Sequence, residues 1–304
     1  MAQTIEEIKP LQAAKSPMQE AWGKLKRNPV ALCCIAYIGL LIFVALTISF
    51  MAPQGFDTAD FSNRFADASW RHPLGTDQQG RDVFVRLLYG VRVSLGVAVV
   101  VVVIEVLIGV TLGLAAGYFG GKVDLGLMRL TDIMFAFPDI LLAILLVAVV
   151  QPPGKGTASS PIVSIVTLFI ALGIVSWPSI SRLVRGQAMA LRDREYIQAA
   201  KAMGVGDATI IRRHVLPNLL SPIIVQVTQD IASVMLAEAT LSFLGLGVQP
   251  PFPSWGRMIQ DSLHLKEAHP LLLVGPTIAL ALTVMAFNFF GDALRDAFDP
   301  RLRQ

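Results

Sequence analysis

The sequence predicts an all-α polytopic membrane protein with six transmembrane helices and both termini cytoplasmic. Three observations predict it. Apolar residues make up 54% of the 304 and charged residues only 15%, below the quarter (about 25%) usual in soluble domains, and the mean hydropathy is +0.61. Six stretches are apolar enough, and long enough, to cross about 30 Å of hydrocarbon. Of the 25 Lys and Arg, seventeen fall on one face of that topology and eight on the other, and the richer face is the cytoplasmic one. The net charge of +3 is too small to suggest nucleic acid as a partner.

Taken in order, residues 1–29 form a cytoplasmic tail carrying five basic residues. Val30–Phe50, the first span, holds no charge. It begins too far from Met1 and lacks the small-residue cleavage pattern of a signal peptide, so it reads as uncleaved. Cys33 and Cys34 are adjacent inside it, a spacing that fits apolar thiols rather than a disulfide framework or a spaced metal site. Residues 51–93 form a periplasmic loop with an amphipathic segment. A five-helix core follows over 94–290, with spans near Ser94–Tyr118, Ile133–Val150, Ile162–Ser181, Pro222–Leu246 and Leu271–Phe290. It includes a cytoplasmic loop, 182–220, with seven Lys and Arg, and residues 291–304 form a cytoplasmic tail. Gly109, Gly113 and Gly117 place three small residues on one stripe of the second span. Such a stripe lets a neighbouring helix approach closely in lipid, from this chain or from another.

The sequence offers little chemistry of its own. In GKGT (Gly154–Thr157) the position where a phosphate loop needs its first Gly is Val149, and Lys155 is followed by Gly156. A calcium loop counted from Asp77 has Asp82 at the sixth position, where the sharp turn needs Gly. His72, His214, His264 and His269 show no ligand spacing. The expectation is a non-catalytic chain with no metal site and no cofactor. Four acids lie in or beside the spans: Glu105, Asp139, Asp230 and Glu238. A charge there costs at least about 2.5 kcal/mol and marks a wet path or a partner. Asp139, beside Pro138, also fits an inter-helix hydrogen bond or a span boundary one turn away. Asp230 and Glu238, with Gln226 and Ser233, read as a polar stripe lining a passage.

The most informative segment is QAAKAMGVGDATIIRRHVLPN, Gln198–Asn218. Tyr196, Ala199, Ala200 and Met203 follow helical spacing. Gly204, followed by Val205, fits the left-handed position that closes a helix. Asp207 is placed to cap a second helix, which Pro217 and Pro222 would break, with Arg212, Arg213 and His214 near its end, where the helix dipole favours cations. A helix lying on lipid would carry large apolar residues on that face. Two alanines instead suit close packing against a cytoplasmic protein.

The segment resembles the loop of ABC-importer permeases, in which Glu-Ala-Ala, three residues, Gly, nine residues and Ile-x-Leu-Pro recur. Ala199, Ala200, Gly204, Leu216 and Pro217 match in register, while Gln198 stands for the Glu and His214 for the Ile. HPLGTDQQGRDVFVRLLYGVRVSL, GYFGGKVDLGLMRLTDIMFAFPDILLAI, LSFLGLGVQPPFPSWGRMI and FNFFGDALRDAFDPRLRQ extend the likeness over nearly the whole chain, to the second permease subunit of bacterial dipeptide and oligopeptide importers, in the peptide/nickel group. The resemblance implies a type I ABC-importer permease fold in the bacterial inner membrane. It also implies a heterodimer with a homologous permease, and two ATPase subunits that hold ATP and Mg. A periplasmic or lipid-anchored substrate-binding protein would deliver peptide. The 198–217 loop would then transmit ATPase motion to the spans. Two rivals stay open: a secondary transporter or channel relaying ions through Glu105, Asp230 and Glu238, and a membrane scaffold without transport.

Overall fold

The computed structural model describes residues 17–150 and 160–299; the GKGT segment lies outside them. α1 (Pro17–Leu25) and α2 (Pro29–Met51) meet at Asn28. Its Oδ1 accepts from the backbone N–H of Val30 (3.0 Å) and Ala31 (3.2 Å), with Pro29 in the first helical turn. α3 (Val83–Phe119) is started by Asp82, whose Oδ1 accepts from Val85 N–H at 3.0 Å. α4 (Gly121–Phe135), α5 (Asp139–Val150) and α6 (Pro161–Arg192) follow, then two short helices, α7 (Glu195–Ala202) and α8 (Asp207–Ile210). A π-helical segment, Ile211–Val215, leads into α9 (Leu216–Phe243), and α10 (Trp255–Ser262) and α11 (Pro270–Phe298) complete the described residues. Among the described residues the only β-pairing is an isolated bridge, Thr76 to Asp82.

Among the described residues five helices are long and apolar enough to cross a membrane, or six spans when α4 and α5 count as one bent span. The expected straight span Ile133–Val150 is therefore corrected. The axis turns by 84° between α4 and α5, because Pro138 supplies no N–H and pushes Phe137 out of helical conformation. α5 alone has 12 residues, about 18 Å of rise. Several boundaries also move outward. α3 starts at Val83, inside the expected 51–93 loop, α6 runs to Arg192, α11 reaches Phe298, and the expected N-terminal tail contains α1. Charge ends a hydrophobic stretch without ending a helix. Arg182 and Arg185 extend α6 past its apolar part and pair with Asp132 (2.7 Å) and Asp124 (Nη2 to Oδ2, 2.7 Å) on α4.

Among the described residues the most extensive helix packing lies between α3 and α6. The neighbour of the glycine stripe is thus in this chain. A methyl group on Gly109 would lie 2.8 Å from the Trp177 carbonyl oxygen, and one on Gly117 would lie 2.5 Å from that of Arg185; at Gly113 it would run into the Ser181 carbonyl. Only glycine lets these backbones touch. Outward-facing residues such as Leu46, Phe50 and Leu107 stay exposed, suited to lipid.

At one end of the bundle Ala21 and Leu25 of α1 pack on Ala293, Leu294 and Ala297 of α11, beside Ile224 and Val225 of α9. At the other end the 52–82 segment is held by ion pairs centred on the buried Arg81 and by a His72–Asp82 contact. Arg81 donates to Asp77 (2.7 Å) and Asp57 (3.1 Å), and His72 meets Asp82 at 2.9 Å. These pairs account for the acids of the segment that superficially resembles a calcium loop. Trp255 of α10 closes the same end, its backbone N–H donating to Ser94 Oγ (3.1 Å) and its indole N–H to the Leu87 carbonyl (3.0 Å).

Candidate functional site

The 193–206 segment forms a compact hairpin. α7 ends in two interlocking bonds, Gly204 N–H to the Lys201 carbonyl (2.9 Å) and Val205 N–H to the Ala200 carbonyl (3.1 Å). Gly204 has φ +79°, the left-handed closure expected from the sequence. Gln198 folds back, donating to the Arg192 carbonyl at 3.0 Å. Ile197 and Ala200 are buried with Tyr118, Ile180, Val184, Ile210, Val215 and Leu219, and Val205 packs at the edge of that cluster. Tyr196, Ala199 and Met203 form an outward stripe, with Met203 76% exposed.

Three expectations for this segment are corrected. Ala200 points into its own chain and does not share the outward face with Ala199, because Ile197 draws that side of α7 inward. Asp207 does not cap α8, since the capping position is Gly206 and no side chain caps it. Instead Asp207 Oδ1 accepts from the Tyr118 hydroxyl at 2.6 Å, tying the hairpin to the end of α3. Lys201 Nζ lies 4.5 Å from the centre of the same ring. Finally, Pro217 and Pro222 do not break the second helix. Asp207–Phe243 runs as one helical rod of 37 residues. The π-helical turn shifts the hydrogen-bond register just before Pro217, and Pro217 falls in the first turn of α9, where a missing N–H is tolerated. Leu216 is half-buried and Pro217 exposed. Arg212, Arg213 and His214 therefore lie within the rod rather than at a helix end.

That rod leads to a cavity of about 420 Å³ between α3, α5, α6 and α9. Its polar lining includes Glu105, Asp139, Ser176, Ser179, Asp230 and Ser233. Asp139 is exposed at its edge. Glu105 is buried and lines the cavity beside Asp230, whose Oδ1 accepts from Gln226 Nε2 at 2.9 Å. Sequence reading counts Glu105 among the four acids that mark a wet path or a partner, and gives it a specific role only in the rival ion-relay scheme. Its pairing with Asp230 joins helices more than a hundred residues apart in the chain, and no local signal discloses it.

The proposed polar stripe is corrected as well. Eight residues turn a helix about 80° past two full turns, so Glu238 leaves the face that Asp230 occupies. It is 1% exposed and accepts from Ser242 Oγ at 2.7 Å, under Ser254. A methyl on Gly256 would lie 2.5 Å from Ala239 Cα, so backbone seals that side. Gln226 lines a separate cleft with Gln229 and Arg295. Asp230 and Ser233 face the main cavity.

An all-helical bundle with five or six spans and a polar cavity of this kind has the fold of an ABC importer permease. Inward-facing structures of the MetNI methionine ABC transporter share it, with TM-score 0.54 and 21% identity over 70% of this chain and 96% of that one. The chain belongs to the family described as binding-protein-dependent transport system inner membrane component, which matches residues 109–304. Residues 16–69 match the N-terminal transmembrane domain of oligopeptide transport permease C. Relatives include the dipeptide transport system permease protein DppC of Alkalihalophilus pseudofirmus, 41% identical over 95% of this chain and 92% of the relative. The glutathione transport system permease protein GsiD of Pectobacterium atrosepticum is 39% identical over 96% and 93%. The chain is a multi-pass inner-membrane permease subunit of an ABC importer.

Proposed function

We propose that this subunit moves dipeptides or short oligopeptides inward by alternating access, and that the 193–206 hairpin couples it to partner ATPases. One observation carries the coupling role: the hairpin runs directly into the rod, Asp207–Phe243, that forms one wall of the cavity. From Asp207 to Asp230 the helix rises about 35 Å, so a push on the hairpin reaches the cavity without a flexible joint. Tyr118 clamps the junction of hairpin and rod, at Asp207, to α3, which also carries Glu105. The outward stripe of Tyr196, Ala199 and Met203 is the docking face, small at its middle and apolar at its ends.

In this reading the chain itself is non-catalytic. ATP and Mg bind two ATPase subunits at the hairpin end, which the basic residues assign to the cytoplasm together with both termini. A homologous permease completes the path, and a substrate-binding protein delivers cargo at the end closed by Trp255. The names of the relatives, dipeptide and glutathione permeases, support a peptide-like cargo. The test is uptake of radiolabelled dialanine into vesicles carrying the full complex, with and without ATP inside the ATPase compartment. ATP-dependent uptake supports the proposal. A second reading, ion-coupled transport, draws on the buried Glu105–Asp230 pair, and uptake driven by a proton gradient without ATP would establish it instead.

A further inference from the structure

The 420 Å³ cavity carries a polarity that permease function alone does not require. Three carboxylates line it, one from each of α3, α5 and α9, and none of its lining residues is Lys, Arg or His. Two of the three keep a buried oxygen that no donor meets. Glu105 is 1% exposed and lies beside Asp230, but two carboxylates offer each other no donor: Glu105 Oε2 and Asp230 Oδ2 are unmet, while Asp230 Oδ1 accepts from Gln226. A buried acceptor without a donor is costly to leave unmet. The site therefore calls for a ligand that brings donors and positive charge together.

We propose that Glu105 and Asp230 bind the primary ammonium group of the cargo, so that this subunit takes the amino end of a peptide and leaves its carboxylate to another chain. An ammonium group carries three donors and no acceptor, enough to span both free oxygens. A hard divalent cation suits the site less well, since it takes at least about six oxygen ligands, and among the described residues no three His, Cys, Asp or Glu groups are placed to hold a metal. The volume lies within the range for small-ligand sites, about 300–1,000 Å³. Ser176 and Ser233, whose hydroxyls donate to the Leu172 (2.9 Å) and Gln229 (3.3 Å) carbonyls, add acceptor oxygens for peptide N–H groups, and Ser179 adds a third hydroxyl. With no basic lining residue, the cavity has nothing to neutralise a C-terminal carboxylate.

The inference rests on the permease reading, and the experiment separates the two. Ser233, exposed on the cavity wall, is changed to Cys in a Cys33→Ser, Cys34→Ser background. The assembled transporter, without the delivery protein, is reacted with a methanethiosulfonate reagent. Dialanine and dialanine amide should both slow labelling, whereas N-acetyl-dialanine should not. Asp230→Asn should remove the protection, and Glu105→Gln should weaken it. Equal protection by dialanine and its N-acetyl form, or full protection surviving in Asp230→Asn, would overturn the proposal. If the Asp variant does not assemble, the acetylation comparison on Ser233→Cys alone decides. ATP-driven uptake measured on the parent complex tests the permease reading separately, since labelling protection needs no turnover.

Discussion

Two stretches of α3 are built on opposite rules. Over Gly109, Gly113 and Gly117 it lies against α6, and backbone meets backbone so closely that no methyl group fits. One turn earlier it presents Glu105 to an open cavity whose lining includes Asp230 and hydroxyls. The glycine stretch is a seam without slack, where any added atom must displace main chain. The other has space and unmet polar groups. The coupling proposed above draws on both, because a rod can transmit displacement only against something that does not yield. In that scheme the seam would let α3 and α6 move as a unit, and the cavity is where the α9 rod would shift against them.

The largest expected effect breaks the seam. Gly113→Leu sets a branched side chain against the Ser181 carbonyl and Val184. Overpacking costs about 1–3 kcal/mol in ordinary cores, and here the obstacle is backbone, which yields least. The variant should lose most membrane abundance and fail to assemble, measured by complex recovery after detergent extraction. Leu107→Ile on the exposed face of the same helix should behave like the parent. Normal recovery of Gly113→Leu would mean that the seam opens in the membrane.

Next in size is a variant that spares both stretches of α3 and cuts the coupling proposed for them. No atom lies within 4 Å of a methyl built on Gly204, so Gly204→Val suffers from its left-handed backbone rather than from a clash inside this chain. That conformation costs about 1–2 kcal/mol for a residue with a side chain. Assembly of the spans should survive, while uptake and cargo-stimulated ATP hydrolysis fall together. Gly204→Asn, which tolerates the left-handed region better, should restore much of the coupling. Full coupling in the Val variant would remove the hairpin from the mechanism.

These contrasts were unequally visible in the sequence. The glycine stripe and the closure at Gly204 were legible because each depends on local spacing or on one residue's conformational freedom. The existence of the spans was legible because hydrocarbon demands long apolar runs. The break before Asp139 was missed although Pro138 was in view, since hydropathy continued unbroken across it. Asp207 was misjudged for a different reason. A capping residue is a local inference, but its partner, Tyr118, comes from a distant helix. The rotation separating Asp230 from Glu238 was calculable from helical period, whereas the sealing of Glu238 by Ser242 and Gly256 is tertiary.

A milder comparison sharpens where the wet wall ends. In the Cys33→Ser, Cys34→Ser background, Ser233→Cys should react readily with a small water-soluble thiol reagent, and Glu238→Cys should react slowly or not at all. Both lie on α9, yet one faces the cavity and the other is sealed under Ser254. Similar rates at the two positions would extend the path past Glu238 toward α10.

The smallest expected effect concerns the clamp between the hairpin and α3. Asp207→Ala removes the hydrogen bond from Tyr118, and Tyr118→Phe removes the same bond from the other partner while keeping the ring that Lys201 approaches. A hydrogen bond of this kind contributes about 1 kcal/mol net. If Asp207 acts through Tyr118, each single variant should lower the thermal midpoint of the purified complex by a similar small amount, and the double variant should add little more. The coupling ratio, ATP hydrolysed per peptide accumulated, should rise modestly in all three because the hairpin is less firmly held to α3. Helix capping predicts another pattern: Tyr118→Phe silent, Asp207→Ala destabilising, and the effects additive, since sites without a shared interaction add to within about 0.5 kcal/mol. Additivity with a silent Phe would leave the hairpin attached to the bundle only through the buried cluster around Ile197, and α3 would cease to be part of the drive.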